Sequence, residues 1–134
     1  AGFKVTQDVR EYNQIESDAL AGKFDAVLVS RSTVQDSGDA VAYMTTDFSS
    51  SGSYSMSGLS DAKVDAAISK AAAIDPGEDR RKAIMAAEQV ILVTGAAIPI
   101  VHERVLQGEA AGVSGAERDP NERALITSAT TVKK

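Results

Sequence analysis

Short stretches of alternating or continuous apolar residues recur along the chain, and they predict β-strands. Residues 3–6 alternate apolar and polar side chains, whereas residues 24–29 form an apolar run bounded by polar residues. The predicted strands are residues 3–6, 24–29, 98–101, 105–107 and 125–132. Pro99 lacks a backbone N–H, so its strand is expected at a sheet edge. Residues 114–121 are predicted as a loop.

Apolar residues at three- and four-residue spacing predict helices between these strands. Asp8 and Glu11 form an acidic version of the capping box, which predicts the start of a first helix. Gly22 is suited to the left-handed position that ends a helix. A second, short helix is predicted at residues 40–44.

Two longer helices are predicted in the middle of the chain. Ser60 is expected to cap a helix that runs to Ala73. Asp75 and Pro76 predict the N-cap and first position of the next helix, which Gly95 ends. The residues predicted on the apolar faces of these helices are Val64, Ile68, Ala71, Ile84, Ala87, Ile91 and Leu92.

Strands that alternate with helices predict an α/β fold, with a mixed sheet flanked by helices. No repeat or low-complexity linker divides the sequence, so residues 1–134 are interpreted as a single domain or part of one. Residues 31–38 are expected to form a loop at the carboxyl end of the predicted strand 24–29, where open α/β sheets bind ligands. The Ser- and Gly-rich residues 49–58 are predicted as a long surface loop.

Composition narrows the functional classes. The chain has 134 residues, of which 43% are apolar and 25% charged, with a net charge of −5. Without a basic patch, binding to nucleic acid is not expected. The absence of cysteine excludes disulfides and a cysteine nucleophile. The sequence contains no run of 18 apolar residues, and its start without Met suggests processing or a piece of a longer protein.

Candidate catalytic chemistry is sparse. The single histidine, His102, begins a His-Glu sequence like that of zinc peptidases, but the second histidine is missing. Phosphate-binding glycine loops and a nucleophile elbow are also absent. The sequence therefore predicts neither an enzyme nor a cofactor, and a hydrolase that relies on His102 is the weakest alternative.

Two aspartates in and just after the predicted 31–38 loop are candidates for ligand binding. Asp36 and Asp39 flank Ser37-Gly38, where a carboxylate could accept a hydrogen bond from a ligand ammonium. The alternative is an Asx turn, in which these carboxylates accept hydrogen bonds from nearby backbone N–H groups. The basic run at residues 80–82 is interpreted as a solvated helix face, and Asp47 as a loop charge.

The order of these segments resembles the C-terminal part of the family-5 extracellular solute-binding proteins, the dipeptide, oligopeptide and nickel receptors of bacterial ABC importers. Residues 22–28 are similar to the family's G-x-[FY]-D strand entry, and residues 35–39 to the acidic loop that follows. Further matches are residues 59–65, similar to Y-x-N-P-x-V-D; residues 75–91 and 97–100, similar to D-x-x-x-R…A-E-x-I-L…x-I-P-L; and residues 111–115, similar to x-V-x-G.

The resemblance implies a partial domain, a fragment of the C-terminal lobe of a two-lobe periplasmic binding protein. It implies capture of a peptide or peptide-like solute and delivery to the membrane permease of an ABC importer. The partner within the same protein would be an N-terminal lobe that this sequence lacks. The implied location is periplasmic or extracellular, with lipid anchoring of the full-length parent as a lipoprotein left open.

The resemblance also implies a site. Asp36 matches the aspartate that takes the α-ammonium of a bound peptide, with Ser30, Arg31 and Thr33 as further ligand-binding residues. Thr33 stands where the family often has tryptophan, and Arg31 would instead favour an anionic or polar solute. The alternative from another class is a stand-alone protein-interaction module with no small-molecule ligand.

Overall fold

In the part of the chain that the structure describes, four helices and four short strands make up the regular structure. The computed structural model describes residues 2–31, 38–101, 106, 108–118 and 124–133. The helices are α1 (Tyr12–Leu20), α2 (Ala40–Phe48), α3 (Ala62–Ala72) and α4 (Glu78–Val93). The strands are β1 (Val113–Ser114), β2 (Glu117–Arg118), β3 (Ala124–Leu125) and β4 (Thr131–Val132).

The hydrophobic core lies between α2, α3 and α4. Apolar residues recur at three- and four-residue spacing in each helix, so each helix has one apolar face, and these faces pack together. The buried core residues are Val41, Met44, Val64, Ile68, Ala71, Ala87 and Ile91. Of these, Val64, Ala71 and Ala87 are completely buried. The apolar faces predicted for α3 and α4 are confirmed at Val64, Ile68, Ala71, Ala87 and Ile91.

Local capping interactions define the start of two of these helices. The Asp39 carboxylate accepts a hydrogen bond from the backbone N–H of Val41 at 2.9 Å, which caps α2. Asp61, rather than Ser60, caps α3 by accepting from the N–H of Lys63 at 2.7 Å. Each carboxylate satisfies an N–H group that the first helical turn leaves without a partner.

Other predicted helix boundaries differ in detail. The predicted capping box is not formed, because Glu11 is the N-cap of α1 without a side-chain capping hydrogen bond and Asp8 forms an ion pair with Arg10 at 3.1 Å. Gly77 is the N-cap of α4. Gly22 and Gly95 have φ values of 67° and 76°, which confirms that they lie in the left-handed conformation after α1 and α4.

The four strands form two separate two-stranded antiparallel sheets. β1 pairs with β4 through Val113 and Val132, and β2 pairs with β3 through Glu117 and Leu125. Two residues lie between β1 and β2, whereas five lie between β3 and β4. The register of residue pairing therefore differs between the two sheets. The predicted strand at 125–132 is therefore confirmed only at its two ends, and the predicted loop at 114–121 contains β2.

The predicted mixed sheet flanked by helices is wrong. In the described part of the chain, residues 3–6, 24–29 and 98–101 have no regular strand pairing. A strand needs a neighbour that accepts and donates its backbone hydrogen bonds, and alternation of apolar residues does not supply one. Their apolar side chains are largely exposed, with values of 86% for Phe3, 82% for Leu28 and 79% for Ile98. Most of the predicted strand at 105–107 lies outside the described residues.

The longest helix, α4, has 16 residues and several charged side chains. Within the described ranges, no helix combines the length and the apolar character that crossing a membrane requires.

Candidate functional site

A bidentate ion pair joins Arg31 to α2. The Nε of Arg31 donates to Oδ2 of Asp47 at 3.0 Å, and Nη2 donates to Oδ1 and Oδ2 at 2.8 Å each. Asp47 is 7% exposed, whereas a quarter of the Arg31 side chain is exposed. The planar guanidinium matches both carboxylate oxygens at once, which makes this geometry stronger than a single charged contact.

Two tyrosine rings flank the Arg31 guanidinium. Its central carbon lies 4.4 Å from the ring centre of Tyr54 and 5.8 Å from that of Tyr43. Both distances fall in the range of cation–π attraction. Tyr43 also contacts Phe48 edge to face, with ring centres 5.7 Å apart, which orients it on α2.

Tyr12 connects α1 to this group of residues. Its hydroxyl forms a hydrogen bond with the hydroxyl of Tyr54. Burial, followed by hydrogen bonds with Tyr12 and Glu16, raises the pKa of Tyr54 above its ordinary value. Tyr12, Tyr43 and Tyr54 are the three tyrosines of the chain, and we refer to them, with Arg31 and Asp47, as the tyrosine cluster.

Burial also changes the acid–base behaviour of the cluster. It raises the pKa of the Asp47 carboxyl, and the hydrogen bonds from Arg31 offset only part of this effect. Burial likewise raises the pKa of Tyr43, and the negative charge of Asp47 raises it further. The cluster is therefore a partly desolvated place in which a carboxylate depends on a cationic partner.

A second ion pair joins the first turn of α4 to the other two core helices. Nη2 of Arg80 donates to Oδ2 of Asp39 at 2.9 Å. Nη1 of Arg80 donates to the backbone carbonyls of Ala71 and Ile74 at 3.1 and 2.8 Å. Arg80 thus links the N-cap of α2 to carbonyls at and just beyond the C-terminus of α3, where a cation is favourable.

The loop after α2 is held closely against the helix. Gly52 donates its N–H to the carbonyl of Ser49 at 2.9 Å, and Tyr54 donates to the carbonyl of Thr46 at 3.1 Å. A Cβ at Gly52 would overlap the carbonyl oxygens of Thr46 and Thr45. This close approach positions Tyr54 beside Arg31. Residues 49–58 contain neither helix nor strand, as predicted, but part of this loop builds the cluster.

The structure describes two of the four predicted ligand-binding residues. Arg31 is bonded to Asp47, so its charge is already matched within the chain. Ser30 is exposed on the segment just before it. Thr33, Asp36 and the alternative catalytic residue His102 lie outside the described residues, so their proposed roles stay predictions. The Asp39 carboxylate accepts a hydrogen bond from the nearby backbone N–H of Val41, as the Asx-turn alternative predicts for this residue. It also accepts a hydrogen bond from Arg80.

Sequence reasoning did not identify Asp47 and Arg80 as organising residues. A signal was present for Asp47, because it follows Met44 by three residues on the apolar face of α2. A carboxylate on a core face needs a cationic partner. For Arg80 the local pattern offered only a basic run, since its partner Asp39 is 41 residues distant.

Other evidence for a functional class is absent from the described part of the chain. Those residues contain no group of three or more His, Cys, Asp or Glu side chains placed to hold a metal ion. Comparison with known proteins gives no match to a family model, to a curated protein or to a solved structure.

Proposed function

We propose that the chain is the solute-binding component of a bacterial ABC importer, which captures a peptide or peptide-like solute and passes it to the membrane permease. The observation that carries this proposal is the pair of ion pairs on either side of residues 32–37. Arg31 is bonded to Asp47, and Asp39 to Arg80. Both flanks of the segment that contains Thr33 and Asp36 are therefore anchored to the helical core.

Anchored flanks favour binding because they reduce the conformational entropy that a loop loses when it contacts a ligand. In this proposal Asp36 accepts a hydrogen bond from the ligand α-ammonium, and Thr33 and Ser30 contact the solute. Since Asp47 already neutralises the charge of Arg31, Arg31 is not available to bind an anion. The remaining charge of Asp36 therefore favours a ligand with a cationic group. The chain performs no covalent chemistry in this role.

The proposal places the protein in the periplasm or outside the cell, with lipid anchoring of a longer parent as an open alternative. It also assigns large exposed apolar residues outside the helices, including Phe3 and Ile98, to contact with a further lobe of the same protein. Exposed apolar surface of this kind is typical of a surface that another part of a protein covers.

The direct test is a titration of this chain with trialanine and with N-acetylated trialanine, followed by amide NMR shifts. We expect saturable shifts with the free amine only, reduced about tenfold or more by Asp36→Ala, since a charged hydrogen bond contributes about 1.5–3 kcal/mol. Asp75→Ala, at an exposed aspartate between α3 and α4, is the matched control. No saturable response up to about 10 mM, where a binding free energy of about 3 kcal/mol is detectable, would contradict the proposal.

The same exposed apolar residues favour a second candidate, a protein-interaction module without a small-molecule ligand. This candidate predicts no response to either peptide and concentration-dependent self-association in sedimentation experiments. A monomer that binds trialanine through Asp36 would exclude it.

A further inference from the structure

The tyrosine cluster contains the features of a recognition site for a planar cation. The Asp47 carboxylate is almost fully buried and accepts three hydrogen bonds from one guanidinium. The rings of Tyr43 and Tyr54 lie near the same guanidinium. Carboxylate and aromatic rings in this arrangement select a guanidinium by shape as well as by charge.

We propose that Tyr43, Asp47 and Tyr54 form a guanidinium-binding site, occupied here by Arg31, which takes the arginine side chain of a ligand when Arg31 leaves. The proposal goes beyond the solute-binding function and does not depend on it, because it uses only described residues and no part of the segment 32–37. The ligand class is a solute or peptide that carries a guanidinium.

Arg31 lies at the end of residues 24–31, which belong to neither a helix nor a paired strand. Residues 24–31 make no backbone–backbone hydrogen bond to another described residue. Leu28, in the middle of this segment, is 82% exposed. Local opening of this segment breaks the Arg31–Asp47 ion pair and the contact of the Phe24 ring with Arg10, but it does not require the helical core to unfold. By contrast, Tyr43 and Asp47 lie on α2, which packs in the core.

The site is expected to discriminate between the two basic side chains of proteins. A guanidinium can donate two parallel hydrogen bonds to Asp47 and keep its flat faces toward the tyrosine rings. An ammonium has no planar face and no fork of donors, so it cannot reproduce this geometry. We therefore expect at least about tenfold weaker binding for an alkylammonium than for the alkylguanidinium of the same size.

Arg31 itself is the main competitor for the site. Its tether gives it an effective concentration on the order of millimolar, so a small guanidinium alone displaces it poorly. Removal of the side chain in Arg31→Ala opens the site and leaves a buried carboxylate without its partner. This variant should bind a free guanidinium at least about tenfold more tightly than the original chain.

The test is a titration of Arg31→Ala with ethylguanidinium and, separately, with ethylammonium, kept at concentrations well below those that denature proteins. The chain has no tryptophan and all three tyrosines lie in the cluster, so intrinsic fluorescence reports on this site alone. We expect a saturable fluorescence change and a raised Tm with ethylguanidinium, and a much weaker effect with ethylammonium. Adding Asp47→Asn to this variant should abolish the response.

Three results would overturn the proposal. The first is no saturable response in folded Arg31→Ala, and the second is an equal response to ethylguanidinium and ethylammonium. The third is a response as strong as that of Arg31→Ala in either the original chain or the double variant Arg31→Ala, Asp47→Asn. If Arg31→Ala does not fold alone, the titration is monitored by far-UV circular dichroism. Recovery of the helical signal by ethylguanidinium but not ethylammonium then supports the site, and failure to recover it counts against the site. Arg81→Ala is the control for a general effect of removing an arginine.

Discussion

Arg80 and Asp39 lie 41 positions apart in the sequence and form an ion pair at 2.9 Å that joins α4 to the N-cap of α2. The same guanidinium donates to carbonyls at and just beyond the C-terminus of α3. A single side chain therefore connects all three helices of the core.

Replacing Arg80 with alanine should lower the free energy of unfolding by roughly 1–3 kcal/mol, because it removes several hydrogen bonds from a charged donor. The matched control is Arg81→Ala, since Arg81 is exposed and its contacts with Glu78 and Met85 lie within about one turn of α4. We expect the control to change stability by less than about 1 kcal/mol. Urea unfolding measures both values, and equal losses would show that Arg80 does not join the helices in solution.

Asp47→Asn should destabilise the protein because Arg31 would lose its carboxylate. Removing one partner of a fully buried pair costs about 3–5 kcal/mol. Since a quarter of the Arg31 side chain is exposed, we expect about 2–3 kcal/mol here. Thermal unfolding gives the size of the loss, and near-UV circular dichroism should show a change in the tyrosine signal. The control Glu78→Gln alters an exposed pair, so a similar loss there would contradict the expected role of Asp47.

Gly52→Ala should be destabilising by roughly 1–3 kcal/mol, which is typical of overpacking. The added Cβ would lie 2.8 Å from the carbonyl oxygen of Thr45 and closer still to that of Thr46, and both are backbone atoms of α2 that cannot rotate away. Gly108→Ala is the control, because a Cβ there meets no described atom within 4 Å. Equal midpoints in denaturant for the two variants would mean that the 49–58 loop is not held against α2.

The stability should fall in acid partly through Asp65. Its carboxylate accepts hydrogen bonds from Ser50, including the backbone N–H at 2.8 Å, and these hold its pKa below the ordinary 3.8. A carboxyl pKa that is lower in the folded state stabilises the fold above the unfolded value and loses this contribution as the pH falls through the folded value.

The measurement is Tm between about pH 6 and pH 2 for the original chain and Asp65→Asn. The two curves should be well separated at the higher pH and converge in acid. Asp75→Asn, at an exposed position between α3 and α4, should follow the original chain throughout. A separation for Asp65→Asn that is independent of pH would contradict the role of the ionised carboxylate.

Part of the candidate site was accessible from sequence and part was not. Arg31 was predicted as a ligand-binding residue of the 31–38 loop, which stays a prediction because residues 32–37 lie outside the described residues, and its partner Asp47 was interpreted as a loop charge. The ion pair spans 16 residues and depends on α2 extending beyond the predicted residues 40–44 to Phe48. A partner in a neighbouring element cannot be identified from local spacing, because many carboxylates satisfy the same pattern.

Local sequence features account for much of the helical part of the fold. Spacing of apolar residues predicts the buried faces of α3 and α4, and Gly22 and Gly95 end α1 and α4, because these features act within one or two turns of the chain. The pairing of extended segments and of distant charges, by contrast, is set by packing between elements that are far apart in the sequence. Residues 3–6, 24–29 and 98–101 have the alternation or apolar character of strands without regular pairing, since strand formation needs a distant partner that local pattern does not specify.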